Sequence, residues 1–174
     1  MRDVTDPEYT VGIVGAGVMG QGIAQVTLAG GMRAIVFDAK EGAAEAGRSE
    51  VIKRIDRLVE KGQLTADAAS AQKDRLSVAS NLADFAGCDT VVEAVVEKLE
   101  VKRQIFGDLE AIVAEDAILA TNTSSLPIAS IARTCRVPGR VAGMHFFNPV
   151  PLMRLVEIIE GPATDPAVAQ RLAA

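Results

Sequence analysis

The chain is poor in the residues from which metal centres and redox scaffolds are built. Its 174 residues hold one histidine and two cysteines. A lone histidine excludes a histidine-ligated metal cluster, and no metal is expected. Cys88 and Cys135 lie far apart and form no C-x-x-C pair, so they read as reduced structural thiols. No apolar stretch approaches the roughly 20 residues that a membrane-spanning helix needs. Met1 to Thr10 carries Asp3, Asp6 and Glu8. It lacks both the basic, apolar start of a secretory signal and the arginine-rich pattern of a transit peptide. The expectation is a cytoplasmic protein without membrane association. Positive charge is also in deficit, with 18 Lys and Arg against 23 Asp and Glu and a net charge of −5. That balance argues against general nucleic-acid binding. An anionic ligand would need a local cluster of donors.

What is present is an alternation. The β-branched run Thr10 to Val14 reads as a buried strand, Val18 to Leu28 as a helix closed by Gly30-Gly31, and Arg33 to Phe37 as a second strand. Glu41 to Lys61 has a helical pattern with Val51, Ile52, Ile55, Leu58 and Val59 on one face. Gly62 stops it, and Thr65-Ala66-Asp67 restarts a helix to about Asp74. This pair reads as a helical hairpin standing out from the sheet. Strands follow at Leu76 to Ala79, Thr90 to Val95, Ala117 to Thr121, Val141 to Phe147 and Leu155 to Ile159, with helices at Leu99 to Val113 and Ile128 to Arg133. The pattern predicts an α/β, doubly wound, mostly parallel sheet covered on both faces. Asp165-Pro166 is a capped helix start. Residues 1–164 are therefore expected to form one domain, and 165–174 to begin a helix leading to further chain.

Gly15-Ala16-Gly17-Val18-Met19-Gly20 joins the first strand to the first helix. In that context the first glycine permits a tight turn, the second lets backbone approach a pyrophosphate, and the third lets helix pack on strand. The helix N-terminus offers unpaired N–H groups and a positive dipole end. Asp38 ends the second strand, where a carboxylate accepts hydrogen bonds from an adenine-ribose diol and repels a 2′-phosphate. NAD is thus favoured over NADP, with Lys40 tempering the preference. A bare packing turn and an ordinary strand-end aspartate are the plainer alternatives.

The single histidine lies in His145-Phe146-Phe147-Asn148-Pro149-Val150-Pro151, and Glu157 follows in an apolar run. If the last two strands form a hairpin centred on Pro151, His145 and Glu157 fall opposite each other. Opposed residues have Cβ atoms about 4.5–5.5 Å apart, close enough for a carboxylate–imidazole contact. A histidine so held can act as a general base; a core histidine beside a solvated glutamate is the alternative. Thr121 to Ser125 follows a strand whose carboxyl end should face the ligand crevice. Ser124 or Ser125 could equally cap the helix that starts near Pro127. Glu93, Glu97 and Lys102 cluster at another strand end, where acidic residues also suit a helix N-terminus.

These segments resemble the NAD-binding domain of the L-3-hydroxyacyl-CoA dehydrogenase family. The resemblance rests on Val11 to Gly20, Val92 to Glu97, Thr121 to Leu126, and most specifically on His145 to Met153 with Leu155-Val156-Glu157. It implies NAD-dependent oxidation of a 3-hydroxyacyl-CoA to a 3-oxoacyl-CoA, with His145 as catalytic base and Glu157 as its partner. It implies that Ser124 sits by the substrate's 3-oxygen and that Asn148 supports the histidine loop. Glu97, Lys102 and Asn122 would line the nicotinamide half of the cofactor site, and Lys61, with Arg54, would meet coenzyme A phosphates. The family sheet has eight strands ending antiparallel. A second, helical domain supplies the homodimer interface and closes the cleft, and its absence leaves open a stand-alone NAD-binding module without catalysis. Relatives acting on 2-hydroxy or branched 3-hydroxy acids share the glycine turn but not the His-Phe-Phe-Asn-Pro run.

Overall fold

The computed structural model describes residues 2–174. Strand β1 (Thr10–Val14) lies third in a seven-stranded sheet of order β3-β2-β1-β4-β5-β6-β7. To one side lie β2 (Arg33–Phe37) and β3 (Leu76–Val78); to the other lie β4 (Thr90–Glu93), β5 (Ile118–Thr121), β6 (Val141–Phe146) and β7 (Val156–Glu160). Every neighbouring pair is parallel except β6 with β7. The order reverses between β1 and β4, which is where such sheets open a crevice beyond the strand ends.

Side-chain alternation along the strands sorts the core into two layers. Val11 and Ile13 of β1 join Ile23 and Leu28 of α1 (Val18–Ala29), Val51 and Ile55 of α2 (Ala43–Glu60), and Ala69 of α3 (Ala66–Asp74). Val14, Val91 and Leu119 face the opposite way, onto Phe106 and Leu109 of α4 (Leu99–Ile112) and Ile131 of α5 (Ile128–Ala132). Helix α6 (Pro166–Leu172) adds Val168 over Ile118 and Ala142. Burial of one such aliphatic side chain contributes about 1.5–3 kcal/mol, so the sheet holds its strand ends in a fixed array.

Helices α2 and α3 follow each other across Gly62, and Lys73 reaches Asp56 at 2.8 Å between them. The pair is seated on the sheet through the fully buried Val51 and Ile55 rather than standing free of it. Asp165 caps α6 by accepting from the Ala167 N–H at 2.8 Å, with Pro166 at the first helical position, as the sequence predicts.

Three expectations shift. Among the described residues the sheet has seven strands where the resemblance implies eight; after β7 the chain turns at Gly161 and enters α6. β4 stops at Glu93 rather than Val95, since the Glu93 carboxylate takes the Val95 N–H at 2.7 Å and bends the chain out of the ladder. The helix after Pro127 is capped by neither Ser124 nor Ser125. Pro127 is its N-cap and no side chain caps it; Thr123 Oγ1 instead accepts from the Leu126 N–H at 2.9 Å in the loop ahead of the helix.

Candidate active site

The loops after β1, β2, β4, β5 and β6 all emerge at one edge of the sheet, and the start of antiparallel β7 returns to it. The glycine turn sits at its centre. Gly15 has φ +109°, and a Cβ there would lie 2.6 Å from the Ala94 carbonyl oxygen. A Cβ on Gly20 would lie 1.8 Å from the Gly15 oxygen, so α1 can enter its turn only without one. Gly17 differs, because a Cβ there would meet nothing within 4 Å. Neither conformation nor internal packing requires that glycine. The space beside it lies at the N-terminus of α1, which has no side-chain cap and no acidic residue in its first turn. This is the cradle that an incoming pyrophosphate needs. Ala16, Val18 and Met19 complete the loop, with Val18 exposed and Met19 half-buried.

Asp38 is half-buried at the end of β2 and accepts from the Ala16 N–H at 2.8 Å and the Lys40 N–H at 2.9 Å. It therefore fixes the glycine loop as well as facing a hollow of about 440 Å³ lined by Lys40, Glu41, Glu45 and Ser80. Gln21 braces the other side of the same loop. Its Nε2 donates to the Ala16 oxygen at 2.9 Å, and its Oε1 accepts from Arg54 of α2 at 2.8 Å. Sequence reasoning passes over Gln21, because nothing in a helical glutamine announces a partner 33 residues away.

His145 and Glu157 are paired directly in the β6–β7 register, as mirror spacing about Pro151 predicts. Nδ1 of His145 lies 2.9 Å from Oε2 of Glu157, and the ring lies 4.6 Å from that of Phe147. The side chains are 19% and 53% exposed, so the imidazole is enclosed while still reachable. With Nδ1 held by the carboxylate, Nε2 is the nitrogen free to take a proton. The strand carrying His145 is pinned by Asn122, whose Oδ1 accepts from the Phe146 N–H at 2.8 Å. The resemblance gave the support of this loop to Asn148. That side chain makes no hydrogen bond among the described residues and is exposed.

Beneath the β4 and β5 loops lies a buried ionic cluster. Lys102 is 1% exposed and donates to both Glu93 oxygens at 2.7 and 2.9 Å, with Glu97 at 3.2 Å. Glu93 also accepts from Thr121 Oγ1 at 2.7 Å, and Glu97 from Thr123 and Ser125. Burial pushes the Glu97 carboxyl up, but the Thr123 hydroxyl and the Lys102 charge outweigh it and hold it below the ordinary value. Lys102 was expected to line the cofactor site. The structure encloses it one layer below, because its ammonium is the counter-charge of the fully buried Glu93. The sequence places Thr121 and Thr123 on the crevice loop without foreseeing these bonds, because a threonine run gives no sign of which hydroxyl turns inward. Ser124 is exposed on this loop, and its hydroxyl has no partner among the described residues.

Lys61 and Asn148 are brought together by a cleft of about 290 Å³ between α1, α2 and the turn after β6. Val18, Gln25, Leu58 and Leu152 also line it.

A glycine turn that leaves room for phosphate beside Gly17, with a carboxylate at the end of the neighbouring strand, defines a Rossmann-type dinucleotide-binding domain. More narrowly, the chain belongs to the family described as 3-hydroxyacyl-CoA dehydrogenase, NAD binding domain, which matches residues 10–174, and its cofactor is NAD. It is 45% identical over 159 residues to a probable 3-hydroxybutyryl-CoA dehydrogenase of Deinococcus radiodurans, covering 91% of this chain and 57% of that protein. It is 41% identical over 169 residues to the 3-hydroxybutyryl-CoA dehydrogenase of Mycobacterium tuberculosis, covering 97% and 59%. The crystal structure of 3-hydroxybutyryl-CoA dehydrogenase from Escherichia coli superposes with a TM-score of 0.92 at 38% identity, covering 95% of this chain and 35% of that one. The chain thus spans somewhat over half the length of the first two relatives.

Proposed function

We propose that this chain is the cofactor-binding half of an enzyme that oxidises L-3-hydroxyacyl-CoA to 3-oxoacyl-CoA, reversibly. The observation that carries the reading is the His145–Glu157 pair at 2.9 Å on the sheet edge that holds the glycine turn. NAD, when bound, accepts the hydride from C3 of the substrate. His145 Nε2 takes the proton of the 3-hydroxyl as the carbonyl forms, so the proton ends on the imidazole. Glu157 keeps Nδ1–H directed at itself and balances the imidazolium. Ser124, exposed on the loop after β5 with its hydroxyl unpartnered among the described residues, hydrogen-bonds the 3-oxygen. Glu97 and Asn122 would hold the nicotinamide end, with Lys102 acting through Glu97. The glycine loop and Asp38 would hold the other half of NAD. Lys61, beside Asn148 in the cleft, meets phosphate of coenzyme A. The remaining part of the enzyme closes this cleft and supplies a homodimer interface, and the protein works in the cytoplasm.

The test is reduction of acetoacetyl-CoA by NADH, followed by absorbance. It is run on this chain and on a chimera carrying the C-terminal remainder of the Deinococcus relative. Turnover in the chimera supports the reading. NADH binding in both with turnover in neither supports a module that binds the cofactor without catalysis.

A further inference from the structure

The cleft between α1 and α2 has apolar walls from Val18, Leu58, Val150 and Leu152. Against them stands one enclosed polar side chain. Gln25, on α1, is 9% exposed and lines the cleft. Its Oε1 is buried without a hydrogen-bond partner, and its Nε2 donates to no described residue. Gln21, one helical turn earlier, shows what the protein does with a glutamine it uses internally: both ends of that carboxamide are taken, by Ala16 and Arg54. A buried carboxamide left unpaired is costly, so a methionine or leucine would suit these walls better if nothing came to meet it.

We propose that Gln25 is a substrate-positioning residue that pairs with a secondary amide in the arm of the acyl thioester. This rests on the thioester reading given above. A carboxamide offers an acceptor at one end and a donor at the other, and a secondary amide carries one of each, so Gln25 can accept from its N–H or donate to its carbonyl. A phosphate offers acceptors only, and a bare acyl chain offers neither. The pantetheine arm of coenzyme A carries two such amides separated by methylenes, which suit the apolar walls. Its charged end then lies toward the exposed Arg57 and Lys61 of the same cleft. A half-turn of the Gln25 carboxamide replaces an oxygen that accepts from the arm's N–H with an NH₂ that donates to its carbonyl.

The experiment is a titration followed by proton–nitrogen correlation spectra of the uniformly labelled chain, which report the side-chain NH₂ of Gln25 directly. The probes are coenzyme A, pantetheine, and adenosine 3′,5′-bisphosphate, which has the phosphates and no amide. Coenzyme A and pantetheine should shift the Gln25 NH₂ signals, and the bisphosphate should not. In Gln25→Met, which keeps the volume, the Kd for coenzyme A and pantetheine should rise on the order of tenfold. The Kd for NADH and the bisphosphate should stay unchanged. The proposal is overturned if the Gln25 signals stay still while backbone amides of Leu58 and Leu152 move, or if all ligands weaken alike in Gln25→Met. A wild-type chain that binds NADH and shows no shift with coenzyme A at millimolar concentration sinks the thioester reading itself. Binding of coenzyme A with an unaffected Gln25 sinks only the assignment of this residue.

Discussion

His145 gains its chemistry from one neighbour. Glu157 sits on an edge strand with its side chain half in solvent, yet the strand register places its carboxylate 2.9 Å from Nδ1. The pair is therefore a device for orienting the ring, and removing the ring should be felt in turnover alone. His145→Gln keeps a polar side chain of similar reach. In the chimera that carries turnover it should lower kcat by about 10²–10⁴, with the Kd for NADH within twofold of wild type. Loss of NADH binding in that variant would show that His145 shapes the cofactor site instead. Asp38 carries two duties at once, since it accepts from the Ala16 and Lys40 N–H groups and also faces the hollow after β2. Alanine would confuse the two, because the glycine loop would lose an anchor. Asp38→Asn removes the charge and keeps one acceptor for the Ala16 N–H, leaving the exposed Lys40 N–H to solvent. It should narrow the preference for NADH over NADPH by about tenfold, the equivalent of one screened charge–charge contact. Competitive fluorescence titration reads it, and an unchanged ratio removes Asp38 from cofactor discrimination.

Elements are tied to each other by side chains that stand in for backbone. Glu110 of α4 accepts from the Arg136 and Val137 N–H groups at 2.6 and 2.9 Å, and so fastens that helix to the segment that leads into β6. Its carbonyl accepts from Arg140 at 3.1 Å. Burial pushes the Glu110 carboxyl up, but the two backbone N–H groups and the arginines outweigh it, and it is held below its ordinary value of 4.5. A carboxylate with a depressed folded pKa binds fewer protons in the folded state than in the unfolded one. Its contribution is complete above the unfolded value and is lost as pH falls through the folded one. Glu110→Gln should therefore lower stability by about 2 kcal/mol at pH 7. In urea melts the gap to wild type should close as pH drops below about 4.5; a gap constant down to pH 3 would mean that the charge contributes nothing. Ties of this kind also mark where sequence reading ran out. The His145–Glu157 pairing was legible because an antiparallel hairpin is arithmetic about its turn. The strands and the glycine turn were legible because period and position signal them locally. The Asn122 bond to Phe146 and the Glu93–Lys102–Thr121 cluster depend on the register of parallel strands whose partners lie far apart in sequence. No local pattern sets that register. It follows from the packing of helices on both faces, so Lys102 read as a site lining and emerged as a buried counter-ion.

At the scale of the whole molecule, the question is whether the two layers of core on either face of the sheet open together. Cys88 gives direct access to it. The thiol is 3% exposed in the layer with Phe85 and Val91, and it packs so close to β1 that a Cβ on Gly12 would lie 3.1 Å from its sulfur. Burial, with the negative charge of Asp89 beside it, pushes the Cys88 thiol up to about 12. At pH 8 only about one thiol in 10⁴ is then ionised, against roughly a quarter for a free cysteine. Reaction at Cys88 thus needs the layer to open, and that layer packs on β1 and β4, between which the strand order reverses. Cys135 is half-buried beyond α5, and burial raises it to about 11, so it serves as an internal reference for local fluctuation. In the proposed function, NADH binds the edge where both halves of the sheet meet. If the sheet opens as one unit, saturating NADH should slow alkylation of Cys88 by the factor 1 + [NADH]/Kd, about a hundredfold at 100 Kd, and leave Cys135 nearly unaffected. Mass spectrometry of iodoacetamide-treated protein resolves the two sites. Equal slowing at both would place Cys135 in the same cooperative unit. No slowing at Cys88 would mean that the layer around Phe85 opens while the nucleotide edge stays closed, and the two halves of the sheet would then be separate units of stability.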